Sequence, residues 1–231
     1  MRIGEKPEIA RLPLFREMDE AQREEVFSAS YLQVFPPQLT LFEAGQQADF
    51  LHVLVDGLVE LYVGGAGRDT TMRIVEPVSS YILAAVVTDM PYLMSARTLA
   101  SSRILLVPAV HLREAMNRDE GLMEATMREM ALGYRDLVRA LTDLKSRQSA
   151  ERLGNHLLEY STRLGGEWEF ELKGEKRVLA SLLGMTPENL SRAFGALKQH
   201  GVSVAGAKVR IEDKEALAAF SRPDPVPPDR F

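Results

Sequence analysis

Residues 177–200 follow a pattern that few backbone arrangements can accommodate. The small residue Ala180 is followed four positions later by Gly184, and Thr186 and Pro187 come shortly after that glycine. Glycine at a helix end permits the positive φ of a sharp turn, while threonine and proline suit the N-cap and first position of the next helix. The spacing predicts a helix-turn-helix, with an ordinary pair of amphipathic helices as the alternative.

The second helix of this motif is predicted to have one apolar and one polar face. Apolar residues are placed to meet the first helix and the domain core: Leu179, Leu183, Met185, Leu190 and Ala193. Glu188, Ser191 and Arg192 stand at positions i, i+3 and i+4, so they share the outward face. Since a helix-turn-helix binds double-stranded DNA rather than catalysing a reaction, we predict these DNA-contacting residues: Thr186, Pro187, Glu188, Asn189, Ser191 and Arg192.

The segment after this motif predicts a β-hairpin. Residues 202–205 and 208–211 are short β-forming runs, and Gly206 lies in the turn between them. Lys208 and Arg210 are two positions apart, so a strand would place both side chains on one face. A helix-turn-helix followed by a hairpin is a winged helix, and we predict that both cations contact DNA.

Charge separates this segment from the rest of the chain. The whole sequence has a formal net charge of −5. Residues 172–210 carry seven lysines and arginines against Glu175 and Glu188, a net charge of +5, so the remainder sums to −10. A basic module on an acidic body predicts that phosphate contact is confined to one end of the molecule. For Lys173 and Lys176 an ordinary solvated surface remains the alternative.

The N-terminal half has a different texture. A short helix is predicted over residues 19–28, and from residue 36 to about residue 107 short apolar runs are broken by glycine or proline at positions 45, 57, 64, 65, 67 and 77. Closely spaced strands with turn signals predict a β-roll of the jelly-roll type. Residues 51–55 and 58–63 flank Asp56 and Gly57, which predicts that these two strands form a hairpin.

A long helix is predicted over residues 119–146, where apolar residues recur in alternating steps of four and three: Met123, Met127, Met130, Tyr134, Leu137, Leu141 and Leu144. This unbroken heptad pattern predicts a two-stranded seam between the subunits of a homodimer. A dimer also suits a helix-turn-helix, because two copies can read a palindrome. The alternative is a helix that lies on its own β-domain, with Leu122, Leu132 and Val138 widening the apolar stripe.

A β-roll, a long helix and a winged helix, in this order, resemble the CRP/FNR superfamily of bacterial transcription regulators. The similarity covers about residues 12–220, and residues 42–59 look like the family's sensor-domain signature. The most specific element is the run from Glu188 to Arg192, which matches the Glu-x-x-Ser-Arg pattern of the FNR-like branch. The resemblance implies a homodimer that reads an inverted repeat of TTGAT-like half-sites, with RNA polymerase as a partner.

The patterns and the resemblance together predict an α+β fold in four parts. A β-roll like that of cyclic-nucleotide-binding domains forms the sensor domain, and a hinge at residues 146–149 precedes a further helix over residues 150–164. The parts are the sensor domain (1–117), the dimerisation helix (118–146), the winged-helix DNA-binding domain (147–220) and a proline-rich disordered tail (221–231).

Cyclic-AMP-binding members of the superfamily carry a cassette in which a glutamate holds the ribose and an arginine holds the phosphate. At the corresponding positions this chain has Leu83 and Leu93, and Arg97 stands out of register. Apolar side chains cannot pair with a cyclic phosphate, so the resemblance predicts that cyclic AMP is not the effector. A cyclic-nucleotide-binding regulator stays open as an alternative.

An FNR-type iron–sulfur cluster is excluded because the chain has no cysteine to ligate it. Residues 89–92 are similar to the dissimilatory nitrate respiration regulators, a branch proposed to sense nitric oxide through haem. A haem would need an axial ligand, and histidine is the usual one. His52 and His111 are the candidates, with an ordinary structural or surface role as the alternative for each.

Other classes of function leave no signal in the sequence. The four histidines, at positions 52, 111, 156 and 200, are scattered, and no phosphate-binding glycine loop occurs, so neither an enzyme nor a metal site is predicted. No run of 18 apolar residues and no N-terminal signal segment occur. The sequence therefore predicts a cytoplasmic protein that does not span a membrane.

Overall fold

The structure is a computed structural model that describes residues 9–65 and 69–223. The chain divides between Ala131 and Leu132 into two compact units, each with its own hydrophobic core. Two sequence expectations concern residues outside the described ranges. They are the turn glycine Gly67 and residues 224–231 of the predicted tail.

In the described residues, the first unit is built on two antiparallel sheets of four strands each. The strands are β1 (Tyr31–Phe35), β2 (Thr40–Phe42), β3 (Phe50–Asp56), β4 (Val59–Val63), β5 (Thr70–Val75), β6 (Ser79–Tyr81), β7 (Ser95–Thr98) and β8 (Ser102–Pro108). One sheet has the order β1-β8-β3-β6 and the other the order β2-β7-β4-β5. This is the strand order of a jelly roll, so the predicted β-roll is confirmed.

The core of the β-roll is closed by short helices: α1 (Glu20–Ala29), α2 (Leu83–Thr88) and α3 (Ala109–Met116). The side chain of Asp19 caps α1 by accepting the Ala21 N–H at 2.9 Å, which is why the helix begins there. On its inner face Phe27 is buried and packs edge-on against Phe15, with ring centroids 5.2 Å apart. The helix predicted over residues 19–28 is therefore confirmed.

The hairpin predicted from residues 51–55 and 58–63 is wrong. β3 pairs with β6 and β8, whereas β4 pairs with β5 and β7, so the two strands belong to different sheets. Both edges of each strand are occupied by other partners, which leaves none for the hairpin. Gly57, at a φ of 103°, carries the chain between the sheets, and a Cβ there would lie 2.6 Å from the carbonyl oxygen of Ser101.

The long helix α4 spans Glu120–Ser146 and confirms the helix predicted for this stretch. Asp119 caps it by accepting the Leu122 N–H at 2.7 Å. Leu122 is fully buried in the core of the first unit, and Val138 is 44% exposed on the part of α4 that belongs to the second unit. No helix in the described part of the chain is long and apolar enough to cross a membrane.

The second unit contains the predicted winged helix. Its elements are α5 (Ser149–Arg163), β9 (Glu169–Glu171), α6 (Lys176–Leu182), α7 (Pro187–Leu197), β10 (Val202–Ala205), β11 (Lys208–Ile211) and α8 (Lys214–Ser221). β10 and β11 form the expected hairpin, and β9 adds a third strand beside β11.

Two boundary residues in the second unit differ from the sequence expectations. The sequence predicts a helix over residues 150–164, but α5 ends at Arg163 and Leu164 is 39% exposed. The sequence predicts that the tail begins at Ser221, but this serine is the last residue of α8 and is fully buried. The helix extends further than expected because α8 packs on α5, and a serine in its final turn fits that contact.

Candidate nucleic-acid interface

Gly184 is the residue at which the chain turns from α6 into α7. Its φ is 64°, and its N–H donates to the Ser181 carbonyl at 3.0 Å, while the Met185 N–H donates to the Ala180 carbonyl at 2.8 Å. Ala180 is fully buried, so α7 can approach α6 closely. The geometry confirms the predicted helix-turn-helix.

The first turn of α7 is capped as the sequence predicts. The Thr186 hydroxyl accepts the Asn189 N–H at 3.2 Å, and Pro187 occupies the first turn, where no N–H partner is required. The inward face of α7 is apolar and buried: Leu190, Ala193, Phe194 and Leu197. Leu179 is buried beside it, while Leu183 and Met185 are partly buried against the same core.

The outward face of α7 carries the side chains that the sequence singled out. Five are exposed, namely Pro187, Glu188, Asn189, Ser191 and Arg192, and Thr186 is half-buried at the cap. Within the described part of the chain Arg192 makes no ion pair, so its five N–H groups are available to a ligand. The row combines a carboxylate acceptor, a hydroxyl and a guanidinium, which are groups that read base edges in a major groove.

The wing places Lys208 and Arg210 together on its exposed face, as expected, while Val209 is buried beneath them. Both cations contact Glu169 on β9. Lys208 Nζ pairs with Oε1, and Arg210 Nε and Nη2 lie 2.7 and 2.6 Å from Oε2. Hydrogen bonds from Lys208 and then Arg210 lower the pKa of the Glu169 carboxyl.

The position of β9 changes the charge estimate for this surface. Residues 172–210 have a net charge of +5, but three glutamates directly precede this range: Glu167, Glu169 and Glu171. Over residues 167–210 seven lysines and arginines stand against five glutamates, a net charge of +2. Glu167 and the two glutamates of β9, Glu169 and Glu171, thus offset three of the five net positive charges expected there.

Arg152 belongs to this surface but carried no signal in the sequence. It lines an open groove of about 490 Å³ together with Arg192, Asn189 and the first residues of α5. Its Nε donates to the Leu183 carbonyl at 3.0 Å and thereby ties α5 to the turn of the motif. Contacts between a side chain and distant backbone carbonyls leave no local pattern, which is why the sequence did not indicate them.

The predicted hinge is held by a network that we call the hinge clasp, formed by Asp143, Arg147 and Asn155. The Arg147 guanidinium pairs with the Asp143 carboxylate and donates to the carbonyl oxygens of Ser221 and Arg222, at 3.3 and 2.7 Å. The other carboxylate oxygen of Asp143 accepts from Asn155 Nδ2 at 3.0 Å. The clasp therefore joins the end of α4 to α5 and to the end of α8.

The apolar stripe of α4 is exposed along most of its length. Six of the seven predicted seam residues are between 38% and 68% exposed, namely Met127, Met130, Tyr134, Leu137, Leu141 and Leu144, and Met123 is half-buried. Such a row of large apolar side chains at heptad spacing is typical of a helix that pairs with another helix.

His52 is enclosed by aromatic rings inside the β-roll. The ring centroids of Phe42, Tyr81 and Tyr92 lie 5.0, 5.5 and 6.4 Å from its own, and its Nδ1 donates to the Phe50 carbonyl at 3.2 Å. Because His52 is only 6% exposed, a haem could reach this imidazole only if some of the side chains that cover it moved. Haem ligation by His52 therefore has no support in the packing and stays an untested prediction.

His111 lies in the first turn of α3 and is 46% exposed, with its Nδ1 3.8 Å from the Glu114 carboxylate. This is the setting of an ordinary surface histidine. Its proposed role as a haem ligand also stays a prediction.

Acid is expected to destabilise the protein through His52. Burial lowers the pKa of this imidazole to about 4 from its ordinary value of 6.5. Below pH 6.5 the unfolded chain binds a proton that the folded chain excludes, so stability falls between pH 6.5 and pH 4, by about 1–3 kcal/mol in total. In a His52→Phe variant, urea unfolding at pH 7, 5.5 and 4.5 should show a correspondingly smaller loss.

His156 does not disturb this comparison. Burial lowers its pKa to about 4 as well, but it is present in both proteins and its contribution cancels. Parallel pH curves for the wild type and the variant would contradict the prediction.

The two apolar residues at the cassette positions, Leu83 and Leu93, lie in different surroundings. Leu83 is buried in the first turn of α2, and Leu93 is 85% exposed on a loop. Arg97 is engaged elsewhere: its guanidinium pairs with Glu60 at 2.7 Å and with Asp69 at 2.8 Å.

Comparisons with known proteins agree with this architecture. The sequence matches the cyclic nucleotide-binding domain family over residues 32–119 and the Crp-like helix-turn-helix domain family over residues 151–220. A CRP-like cAMP-activated global transcriptional regulator of Mycobacterium tuberculosis (strain CDC 1551 / Oshkosh) is 24% identical, over 81% of this chain and 87% of the relative. The fumarate and nitrate reduction regulatory protein of Salmonella typhi is 25% identical, over 79% of this chain and 75% of the relative.

Solved structures are similar to this chain over most of its length. A regulatory protein from Silicibacter pomeroyi DSS-3 is 27% identical with a TM-score of 0.62, covering 95% of this chain and 99% of that one. FixK2 from Bradyrhizobium japonicum shows the same fold at 19% identity, with a TM-score of 0.75 and coverage of 83% and 96%. With a sensor-type β-roll, a long helix and a winged helix in this order, the chain belongs to the CRP/FNR family of DNA-binding transcription regulators, which are not enzymes.

Proposed function

We propose that a homodimer of this chain reads a TTGAT-like inverted repeat through α7 of each subunit. The observation that carries the proposal is the exposed row of Glu188, Ser191 and Arg192 opposite the buried face of the helix. Arginine binds guanine O6 and N7, glutamate accepts from cytosine N4, and serine can do either. The match of this row to the Glu-x-x-Ser-Arg pattern of the FNR-like branch supports the choice of half-site.

The exposed stripe of α4 supports the dimer. Pairing two copies would cover six large apolar side chains on each helix that the single chain leaves in water. A two-fold dimer would also set two α7 helices about 34 Å apart, the spacing of successive major grooves on one side of a duplex.

A regulator of this kind would work in the cytoplasm with RNA polymerase as its partner.

Selection of bound sequences from a random duplex pool tests the proposed site without assuming it. Enrichment of a TTGAT-like inverted repeat is the expected result. The affinity for that repeat should then fall when one half-site is scrambled, and also when five base pairs are inserted between the half-sites, since the second half-site moves to the opposite face of the duplex. Enrichment of an unrelated sequence, or of none, would refute the proposed specificity.

The hinge clasp supports allosteric control of DNA reading. Arg147 and Asp143 join the end of α4 to the winged helix, so a change in α4 would reach α7 through them. A ligand in the β-roll would act by binding one arrangement of α4 more tightly than another, because only differential affinity shifts such an equilibrium.

Cyclic AMP is expected not to be that ligand. Leu83 and Leu93 offer the phosphate and ribose no charged or hydrogen-bonding side chain, and Arg97 is held by Glu60 and Asp69. Calorimetry with millimolar cyclic AMP should show no binding to this protein. The relative from Mycobacterium tuberculosis, which is named as cAMP-activated, is the positive control. A micromolar dissociation constant for this chain would overturn the prediction.

A further inference from the structure

The exposed face of the wing carries two cations and two carboxylates in neighbouring strands. In the register of β11 with β9, Arg210 stands opposite Glu169 and Lys208 opposite Glu171. Val209 and Phe170, the pair between them, are buried. The four charged side chains therefore project from the same side of the sheet, and their formal charges cancel.

One of the two carboxylates forms ion pairs with both cations. Glu169 pairs with Lys208 through Oε1 and with Arg210 through Oε2, the latter at 2.6 Å to Nη2. Within the described part of the chain the Glu171 side chain makes no ion pair, although it lies directly across from Lys208. The two glutamates thus carry the same charge and lie on the same strand, but only Glu169 forms ion pairs with Lys208 and Arg210.

These ion pairs are exposed enough for the two cations to exchange the Glu169 carboxylate for another anion. Glu169 is 32% exposed, and Lys208 and Arg210 are 56% and 61% exposed. Pairs in such surroundings contribute little to stability because water solvates the separated charges almost as well. A DNA phosphate can therefore displace the carboxylate, but it must do so against the charge of Glu169 beside it.

We infer that Glu169 is a built-in competitor of DNA phosphate at the wing, and that it limits the affinity of the protein for DNA of any sequence. The inference rests on the proposed function, in which the winged helix binds DNA. Phosphate contacts carry no sequence information, whereas base contacts do. A carboxylate that weakens only the phosphate contacts lowers the affinity for all DNA sequences. A larger part of the total binding free energy then comes from base contacts, which we assign to Glu188, Ser191 and Arg192 on α7.

The test compares Glu169→Gln with Glu171→Gln in the full-length protein. Glutamine keeps the size and the hydrogen-bonding capacity of the side chain but removes its charge. Binding is measured by fluorescence anisotropy on a TTGAT-like palindrome and on a scrambled duplex, from 50 to 300 mM salt. Glu169→Gln should bind both duplexes about three- to tenfold more tightly at the lowest salt, with a salt slope steeper by about one per subunit. Glu171→Gln should change affinity less than about twofold.

A gain in affinity could come from the release of Lys208 and Arg210 from Glu169, or simply from the loss of one negative charge. Removal of the two cations distinguishes these explanations. In the triple variant Glu169→Gln, Lys208→Ala, Arg210→Ala the gain in affinity should disappear. Thermal unfolding of every variant near the wild-type temperature shows that the sheet is intact. Equal gains for the two single glutamine variants, no gain, or weaker binding by Glu169→Gln would each overturn the inference.

These outcomes are separable from failure of the proposed function. The wild type could prefer the palindrome through Arg192 while the two glutamine variants behave alike. That result would refute the role of Glu169 and leave the proposed function standing. If the wild type binds neither duplex, the proposed function and the inference fall together.

Discussion

Replacement of Arg192 by alanine is expected to remove the preference of the protein for its DNA site. Arg192 is exposed on the first turns of α7, in line with Glu188 and Ser191. A bidentate arginine–guanine contact contributes about 1–3 kcal/mol of discrimination, and a dimer would make it twice. Affinity for a TTGAT-like palindrome should fall by about 30-fold or more, whereas affinity for a scrambled duplex should fall only a few-fold.

The loss of affinity in Arg192→Ala should not arise from a folding defect of the variant. In the described part of the chain Arg192 makes no ion pair, and alanine is the best helix former, so α7 should persist in the variant. Lys198→Ala is the matched control because Lys198 is an exposed cation at the C-terminal end of the same helix, outside the row. It should weaken binding to both duplexes alike.

Footprinting decides between the two effects. If Arg192→Ala protects the same site with the same preference over competitor DNA, this residue does not read a base. If both duplexes lose affinity equally, it acts as a phosphate contact.

The parts of the interface that the sequence predicted correctly follow local rules. The φ of Gly184, the cap at Thr186 and the alternation of buried and exposed residues along α7 each depend on neighbours within about one helical turn. The exposed heptad of α4 is local in the same sense, since it is a property of one helix. Propensity, capping and periodicity therefore sufficed for these features.

The features that the sequence did not predict depend on strands and side chains that are distant along the chain. The pattern of residues 51–63 is the same for a hairpin and for a passage between two sheets, and only the partners of β3 and β4 distinguish them. Glu169 pairs with Lys208 and Arg210 from about 40 positions away, and Arg147 of the hinge clasp reaches the Ser221 carbonyl, which is 74 positions away. The positive charge of the wing was therefore overestimated from the sequence, although its position was correct.

A charge in the stripe of α4 is expected to dissociate the homodimer. Leu137 lies in the heptad row and is 60% exposed in the single chain, so Leu137→Glu should leave the fold of the chain intact. In a paired seam the leucine of each subunit would be buried, at about 1.5–3 kcal/mol per side chain, and a glutamate there would face its own copy. The dimer dissociation constant should therefore rise by about 100-fold or more.

The change in assembly should appear in DNA binding in a specific way. Sedimentation velocity across a concentration series should show monomers of Leu137→Glu at concentrations where the wild type is dimeric. Affinity for the palindrome should fall, because the two half-sites would have to be bound by independent chains. Affinity for a single half-site should not change, because α7 and the wing are untouched.

Thr142→Glu is the matched control for this variant. Thr142 is exposed on α4 but lies outside the heptad row, and its hydroxyl donates to the Val138 carbonyl of its own helix at 2.9 Å. The same added charge at this position should leave the dimer intact, because the face it occupies stays in water. A Leu137→Glu protein that remains dimeric would place the subunit contact elsewhere, and the exposed stripe would then need another partner.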